Sequence, residues 1–144
     1  FENNLIVLRI SNIIGNKLKL NKNLHKTFVD IFYDNAKKGI IYDNKKNYKD
    51  FLSIQKFCEI VKMIIRKNLR GTFNVSIGKK VYLNDLIKWL NHFNPRKFKT
   101  INFNKIANGN FYLNNKKLMS KIKINNDLES LKKDSLDLSK RLFR

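Results

Sequence analysis

The cysteine and the histidines of this sequence, the residue types that most often act as nucleophiles, bases or metal ligands, show no catalytic spacing. Cys58 has no histidine near it in sequence that could activate the thiol. We therefore expect a small buried residue on a helix over 54–67. His25 and His92 stand alone, without a cysteine or a carboxylate at metal-ligand spacing, which predicts solvated histidines and no metal site.

The carboxylates and the glycines also lack the patterns that chemistry requires. Asp34, Asp43 and Asp50 are too scattered to form a paired acid and base. No two or three glycines have the spacing of a dinucleotide-binding loop. The glycines of the chain are Gly15, Gly39, Gly71, Gly78 and Gly109. We therefore assign no catalytic residue to this sequence.

The formal net charge of +20 on 144 residues would by itself suggest a nucleic-acid partner. The sequence has 25 Lys, 22 Asn and 17 Ile, all with codons rich in A and T, but only six Arg. An AT-rich genome raises the first three together, whereas selection for phosphate binding raises Lys and Arg. We therefore expect no nucleic-acid partner, and a small basic nucleic-acid-binding protein is kept as an alternative function.

The chain begins at Phe1 without a methionine, which is consistent with a processed chain or with a fragment of a longer one. The early apolar run Leu5–Leu8 is too short for a secretory signal, and no run approaches the roughly 18 apolar residues of a membrane span. A single cysteine cannot form an internal disulfide. We expect a reducing, cytoplasmic location and no membrane partner.

Apolar periodicity and turn residues predict strands that alternate with helices. The branched run at 5–10 is typical of a buried parallel strand, and Ser11 and Asn12 after it are turn-prone. The further elements are predicted as helices over 25–38, 54–67, 83–90, 114–121 and 126–142, and as extended segments at 40–42, 48–52, 72–76 and 98–103.

This alternation predicts an α/β fold. A strand as apolar as Leu5–Leu8 should have neighbours on both sides and helices on both faces. The chain supplies few elements for that purpose. We therefore interpret residues 1–144 as a single segment with an incomplete sheet that is completed by sequence absent here.

Three segments in order resemble one family. "VLRISNIIG" (Val7–Gly15) looks like the strand and turn "RxxNxxG", "KDFLSIQKF" (Lys49–Phe57) is similar to "RDFxxVxDxA", and "GTFNVSIGKKVYLNDLIKWL" (Gly71–Leu90) is similar to "GxYNxGxGxxxSxxEL". All three motifs belong to the extended short-chain dehydrogenase/reductases, the NAD-dependent epimerase/dehydratase family. The resemblance implies the C-terminal part of a Rossmann-type NAD(P)-binding fold with the small substrate-binding subdomain, without the N-terminal cofactor-binding half.

The resemblance also implies ligand-binding residues at the first of these segments. Asn12 matches the family asparagine that hydrogen-bonds the sugar nucleotide, and its carboxamide offers both a donor and an acceptor. The backbone at Ile10 and Ser11 would lie beside the nicotinamide of the cofactor. The alternative for Asn12 is an ordinary turn asparagine at the end of a strand.

Two further substrate-binding positions follow from the resemblance. Asn23 and Leu24 look like the "NNL" segment that lines the nucleotide site of epimerases, although a turn before a helix explains them nearly as well. Lys49 stands where the family usually has an arginine that grips the diphosphate. Lysine keeps the charge but loses the two-pronged hydrogen bond, and a solvated surface lysine is the alternative.

The family mechanism implies parts that we assign to upstream sequence. A Gly-x-x-Gly-x-x-Gly turn would bind NAD or NADP, a Tyr-x-x-x-Lys helix would supply the acid and base, and we expect neither in this segment. This segment would then be the substrate-binding part of a sugar-nucleotide epimerase, dehydratase or reductase, inactive alone. The resemblance leaves room for a homodimer of the full-length protein. A non-catalytic remnant that acts as an interaction module is the third hypothesis.

Overall fold

The computed structural model describes residues 5–15, 26–43, 45–102 and 109–144. These ranges contain short strands that alternate with helices, as the sequence predicted. The strands are β1 Ile6–Ile10, β2 Asn12–Ile14, β3 Ile40–Asp43, β4 Tyr48–Lys49, β5 Phe51–Ser53, β6 Gly71–Val75, β7 Val81–Tyr82 and β8 Lys99–Asn102, and the helices are α1 Phe28–Lys37, α2 Ile54–Arg66, α3 Leu83–Leu90, α4 Lys116–Met119 and α5 Leu128–Leu142.

The described strands pair two by two. The pairs β1–β6, β2–β5 and β3–β8 are parallel, and β4–β7 is antiparallel. Parallel neighbours need a crossover connection, and α2 follows β5 directly and leads to β6, the partner of β1. The predicted α/β class is therefore confirmed.

The chain changes partner strand at Ser11. The Ser11 nitrogen donates to the Val75 oxygen at 3.1 Å, at the end of the β1–β6 pair, and the Asn12 nitrogen donates to the Asp50 oxygen at 3.2 Å. The predicted turn at Ser11–Asn12 is therefore wrong, because Asn12 begins β2. The Asp50 carbonyl supplies an acceptor that keeps Asn12 extended, and this long-range contact overrides its turn preference.

Local signals fix the two longer helices near the start of the chain. Thr27 and Asp30 form a reciprocal capping box at the start of α1, and Gly39, with a φ of +72°, lies beyond its end. Ser53 caps α2 by accepting a hydrogen bond from the Lys56 nitrogen at 3.2 Å. The predicted helices over 25–38 and 54–67 are confirmed, whereas α4 is shorter than the predicted 114–121.

Two apolar clusters hold these elements together. The first lies among α1, α3 and α5 and includes Phe32, Phe51 and Leu86. The second lies between α2, α4 and one face of the β1–β6 pair and includes Ile60 and Phe73. The helices therefore pack against the strands through these two clusters.

Two burial expectations are wrong. Cys58 is exposed on the outer face of α2, because the buried face of that helix is formed by Ile60 and Ile64 instead. The strand β1 is buried on one face only, since Leu5 and Val7 are exposed whereas Leu8 packs against the second cluster. Within the described residues β1 pairs with β6 alone, as expected of an incomplete sheet.

Candidate functional site

Asn12 is held at the start of β2 by a contact of its side chain. The Asn12 Nδ2 donates to the main-chain oxygen of Asp50 at 2.9 Å, and the side chain is partly buried. None of the described donors bonds to the Asn12 Oδ1. The carboxamide therefore offers a ligand chiefly an acceptor, in a direction set by the Asp50 peptide.

Lys49 directly precedes Asp50 in the chain and belongs to β4. It pairs with Val81 across β4–β7, so the two side chains share a face, and Val81 is buried. The Lys49 ammonium lies 6.0 Å from the centre of the Phe111 ring. No carboxylate of the described ranges forms an ion pair with Lys49, so its charge is available to an anionic ligand.

Ile10 and Ser11 lie at the carboxyl end of β1, where the chain passes to β2. The Ile10 side chain is 47% exposed, whereas Ser11 is only 7% exposed. The Ser11 Oγ is buried and has no hydrogen-bond partner among the described residues. An unpartnered buried hydroxyl is costly, so a further partner at this point would stabilise the structure.

The remaining predicted positions are not seen at this site. Asn23, Leu24 and His25 lie outside the described residues. His92 is exposed, as predicted. In the described ranges no three His, Cys, Asp or Glu side chains come together as a metal site.

The expectation that the segment lacks a Tyr-x-x-x-Lys spacing is wrong. The spacing occurs three times, at Tyr33–Lys37, Tyr42–Lys46 and Tyr112–Lys116. Only the first lies within one helix, where the Lys37 ammonium lies 4.3 Å over the Tyr33 ring. The Tyr33 ring also packs 5.8 Å from Phe143, so this pair serves packing at the end of α1 rather than proton transfer.

Asp50 is the residue that sequence reasoning missed. Its side chain is fully buried, and its carboxylate accepts three main-chain hydrogen bonds. Oδ1 accepts from the Ile77 nitrogen at 3.1 Å, and Oδ2 accepts from the nitrogens of Gly78 at 3.2 Å and Leu113 at 3.0 Å. An acidic residue directly before the apolar pair Phe51–Leu52 of an extended segment was the signal that could have revealed it.

Burial raises the pKa of the Asp50 carboxyl above its usual value of 3.8. The hydrogen bonds from Leu113, Ile77 and Gly78 and from the Ser76 side chain act in the opposite direction, but burial outweighs them. Asp50 is thus an interior anchor that ties two chain segments, at Ile77–Gly78 and at Leu113, to the peptide that orients Asn12.

The turn after β6 completes this anchor. Gly78 has a φ of +73°, which favours glycine, and a Cβ there would collide with the Asn115 side chain. The Ser76 oxygen accepts hydrogen bonds from the side chains of Asn115 and Asn126, each at 2.8 Å. The side chains of Asn115, Asn126 and Asp50 therefore hold this turn in place.

No protein-family profile matches this sequence, and no characterised protein matches it by sequence. Solved structures do match its fold. They include the enzyme WbmG of Bordetella bronchiseptica in complex with NAD and UDP (17% identity, TM-score 0.70) and RMD of Pseudomonas aeruginosa complexed with NADPH (12% identity, TM-score 0.71). A third is the UDP-N-acetylglucosamine 4-epimerase of Methanobrevibacter ruminantium in complex with UDP-N-acetylmuramic acid (17% identity, TM-score 0.68).

These matches cover nearly all of this chain but less than half of each solved structure. The shares are 96% of this chain and 44% of WbmG, 96% and 47% for RMD, and 94% and 44% for the Methanobrevibacter epimerase. The chain therefore has the fold of part of a Rossmann-type NAD-dependent epimerase or dehydratase, as the sequence resemblance predicted. None of the described helices is long and apolar enough to cross a membrane.

Proposed function

We propose that this chain is the substrate-binding part of an NAD(P)-dependent enzyme that acts on a sugar nucleotide. The observation that carries the proposal is the arrangement around Asp50. Its main-chain oxygen fixes the Asn12 side chain, and Lys49, which forms no ion pair with a described carboxylate, precedes Asp50 in the chain. A sugar nucleotide presents a doubly charged diphosphate and several sugar hydroxyls. Lys49 suits the first group and the Asn12 Oδ1 suits the second.

The solved structures with this fold support the class of ligand. WbmG was crystallised with NAD and UDP, and the Methanobrevibacter epimerase with a UDP-sugar. The motifs around Asn12 and Lys49 resemble those with which the epimerase/dehydratase family binds the same compounds. In this chain the two residues would position the substrate rather than transfer protons.

The cofactor of the complete enzyme would be NAD or NADP. Bound NAD(P) would accept or donate the hydride, and its nicotinamide would lie at Ile10 and Ser11. The exposed apolar side chain of Ile10 fits the face of an aromatic ring. A glycine-rich turn and an acid/base tyrosine would come from an N-terminal half outside this chain, which spans less than half of the matched structures.

The exposed edge and face of β1 would receive that half. Leu5 and Val7 present apolar side chains to solvent on a strand with one described neighbour. Parallel strands are normally covered on both faces and paired on both edges. A companion strand beside β1 and a helix over Val7 would meet both requirements.

The ligand part of the proposal is tested with the 144-residue chain and two probes, UDP and inorganic pyrophosphate. We expect pyrophosphate to shift the amide NMR signals around Lys49. Replacing Lys49→Met should weaken both probes about tenfold, because a charge-assisted hydrogen bond contributes roughly 1.5 kcal/mol. Lys46→Met removes the same charge from an exposed position in the same segment and is the matched control.

Equal losses in Lys49→Met and Lys46→Met would show general attraction to a basic protein and would contradict the proposed site. The enzyme part of the proposal is tested on the gene. The coding sequence immediately upstream is expected to contain the Gly-x-x-Gly-x-x-Gly turn and a catalytic Tyr-x-x-x-Lys helix. A stop codon there without a Rossmann half would exclude an active enzyme and would favour the non-catalytic remnant.

A further inference from the structure

A second groove lies away from Asn12 and Lys49, between α3 and the parallel pair β3–β8. Its volume is about 480 Å³, within the range of small-molecule sites. It extends along the β3–β8 pair, from Phe98 before the start of β8 to Asp43 at the end of β3. It shares no lining residue with the candidate site.

The apolar part of this groove is formed by Ile41, Ile87 and Phe98. Ile41 pairs with Thr100 across β3–β8, so the Thr100 hydroxyl shares its face. Phe98 is 47% exposed, whereas Ile41 and Ile87 are buried, with 6% and 8% exposed. Phe98 is therefore the main apolar group that the groove presents to a ligand.

The polar part is a connected set of side chains. The Asn84 carboxamide lies between Asp43 and Lys88, and the amide orientation that satisfies both has its nitrogen donating to the Asp43 Oδ1 at 2.7 Å and its oxygen accepting from the Lys88 Nζ at 3.2 Å. Lys45 lies 3.9 Å from the Asp43 carboxylate. The Asp43 carboxylate thus has a hydrogen-bond donor in Asn84 and an exposed basic neighbour in Lys45.

We propose that this groove binds a neutral carbohydrate ring. A pyranose has an apolar CH face for the Phe98 ring and hydroxyls at its edge, and each hydroxyl both donates and accepts. Asp43 accepts hydrogen bonds, Lys88 donates them, and the Asn91 amide and the Thr100 hydroxyl add to the rim. A phosphate would be repelled by the Asp43 carboxylate, and an organic cation would be repelled by Lys45 and Lys88.

This inference does not depend on the proposed function, because the two sites share no residue and the probes differ. The test is an NMR titration of the ¹⁵N-labelled 144-residue chain with methyl β-glucopyranoside, with glucose 1-phosphate and uridine as parallel arms. We expect shifts of the amides of Ile41, Asn84 and Thr100 at millimolar glycoside. Phe98→Ala should weaken this binding about fivefold.

Phe93→Ala is the matched control, because Phe93 is 41% exposed and does not line this groove. Asn84→Leu, which breaks the link between Asp43 and Lys88 at nearly constant volume, should also weaken binding while the unfolding midpoint shows that the chain is folded. The proposal is overturned if the glycoside causes no shifts, if Phe93→Ala and Phe98→Ala weaken it equally, or if glucose 1-phosphate or uridine binds more tightly.

Discussion

The main-chain oxygen of Asp50 accepts two hydrogen bonds from Asn12, one from the side-chain Nδ2 at 2.9 Å and one from the main-chain nitrogen at 3.2 Å. Two donors from one residue on one acceptor fix the side-chain torsions of Asn12. The Asn12 Oδ1 is then aimed by the scaffold before any ligand arrives, which lowers the entropic cost of binding. The candidate ligand group and the interior anchor at Asp50 are therefore one structural unit.

Replacing Asn12→Ala should lower the free energy of unfolding by about 1 kcal/mol, because it removes one hydrogen bond of a partly buried side chain. Asn12→Asp should be more destabilising at neutral pH, because a carboxylate would face the Asp50 oxygen without a donor. Urea unfolding of both variants measures the difference. An Asn12→Asp variant as stable as the native chain would show that the side chain does not contact Asp50.

Replacing Asp50→Asn should destabilise the chain by about 3 kcal/mol, because the amide group would face main-chain N–H donors and leave at least one of them unsatisfied. The pH dependence of this free-energy difference separates the effect of the Asp50 charge from the effect of the lost hydrogen bond. Since the folded pKa of Asp50 is raised, its contribution is fully present below its usual value of 3.8 and is lost as the pH rises through the folded pKa. The stability advantage of the native chain over Asp50→Asn should therefore shrink between those two pH values.

The measurement is the difference in free energy of unfolding between the two proteins, taken at a series of pH values so that all other groups cancel. An advantage that grows with pH would mean that the hydrogen bonds from Ile77, Gly78 and Leu113 outweigh burial and lower the pKa. That result would contradict the direction assigned to Asp50.

The sequence predicted those features of the fold that depend on local patterns. The helices after Thr27 and Ser53 follow from caps and apolar periodicity, and the strand over 5–10 follows from a branched apolar run. Their boundaries agree within a few residues because capping is a property of neighbours in the chain.

Features that depend on distant contacts could not be predicted in the same way. Asn12 was expected in a turn, because nothing near it in sequence reveals that Asp50, 38 residues away, supplies an acceptor. The role of Asp50 could not be predicted, because no second acid accompanies it in the sequence. Its partners are main-chain nitrogens, which every residue type except proline provides. Cys58 was expected to be buried because cysteines usually are, yet α2 turns Ile60 and Ile64 inward.

Replacing Gly78→Ala should destabilise the chain by about 2 kcal/mol or more, because the new Cβ adds a collision with Asn115 to the strain of a positive φ. Gly109→Ala is the matched control. Gly109 also has a positive φ, of +129°, but no atom of the described residues lies within 4 Å of a Cβ placed there. Thermal unfolding of the two variants isolates the collision, and equal losses would show that Asn115 does not press against the Ser76–Gly78 turn.

Replacing Val7→Lys tests the proposal that another half covers β1. In the 144-residue chain Val7 is 48% exposed, so the change should alter the free energy of unfolding by no more than about 0.5 kcal/mol. Leu8→Lys on the same strand should cost several times more, because Leu8 packs against the second cluster. In the proposed complete enzyme, a helix over Val7 would bury the introduced ammonium. We therefore expect Val7→Lys to leave the short chain folded but to remove the activity of the full-length protein. Equal destabilisation of the short chain by both changes would mean that this chain already covers the face of β1.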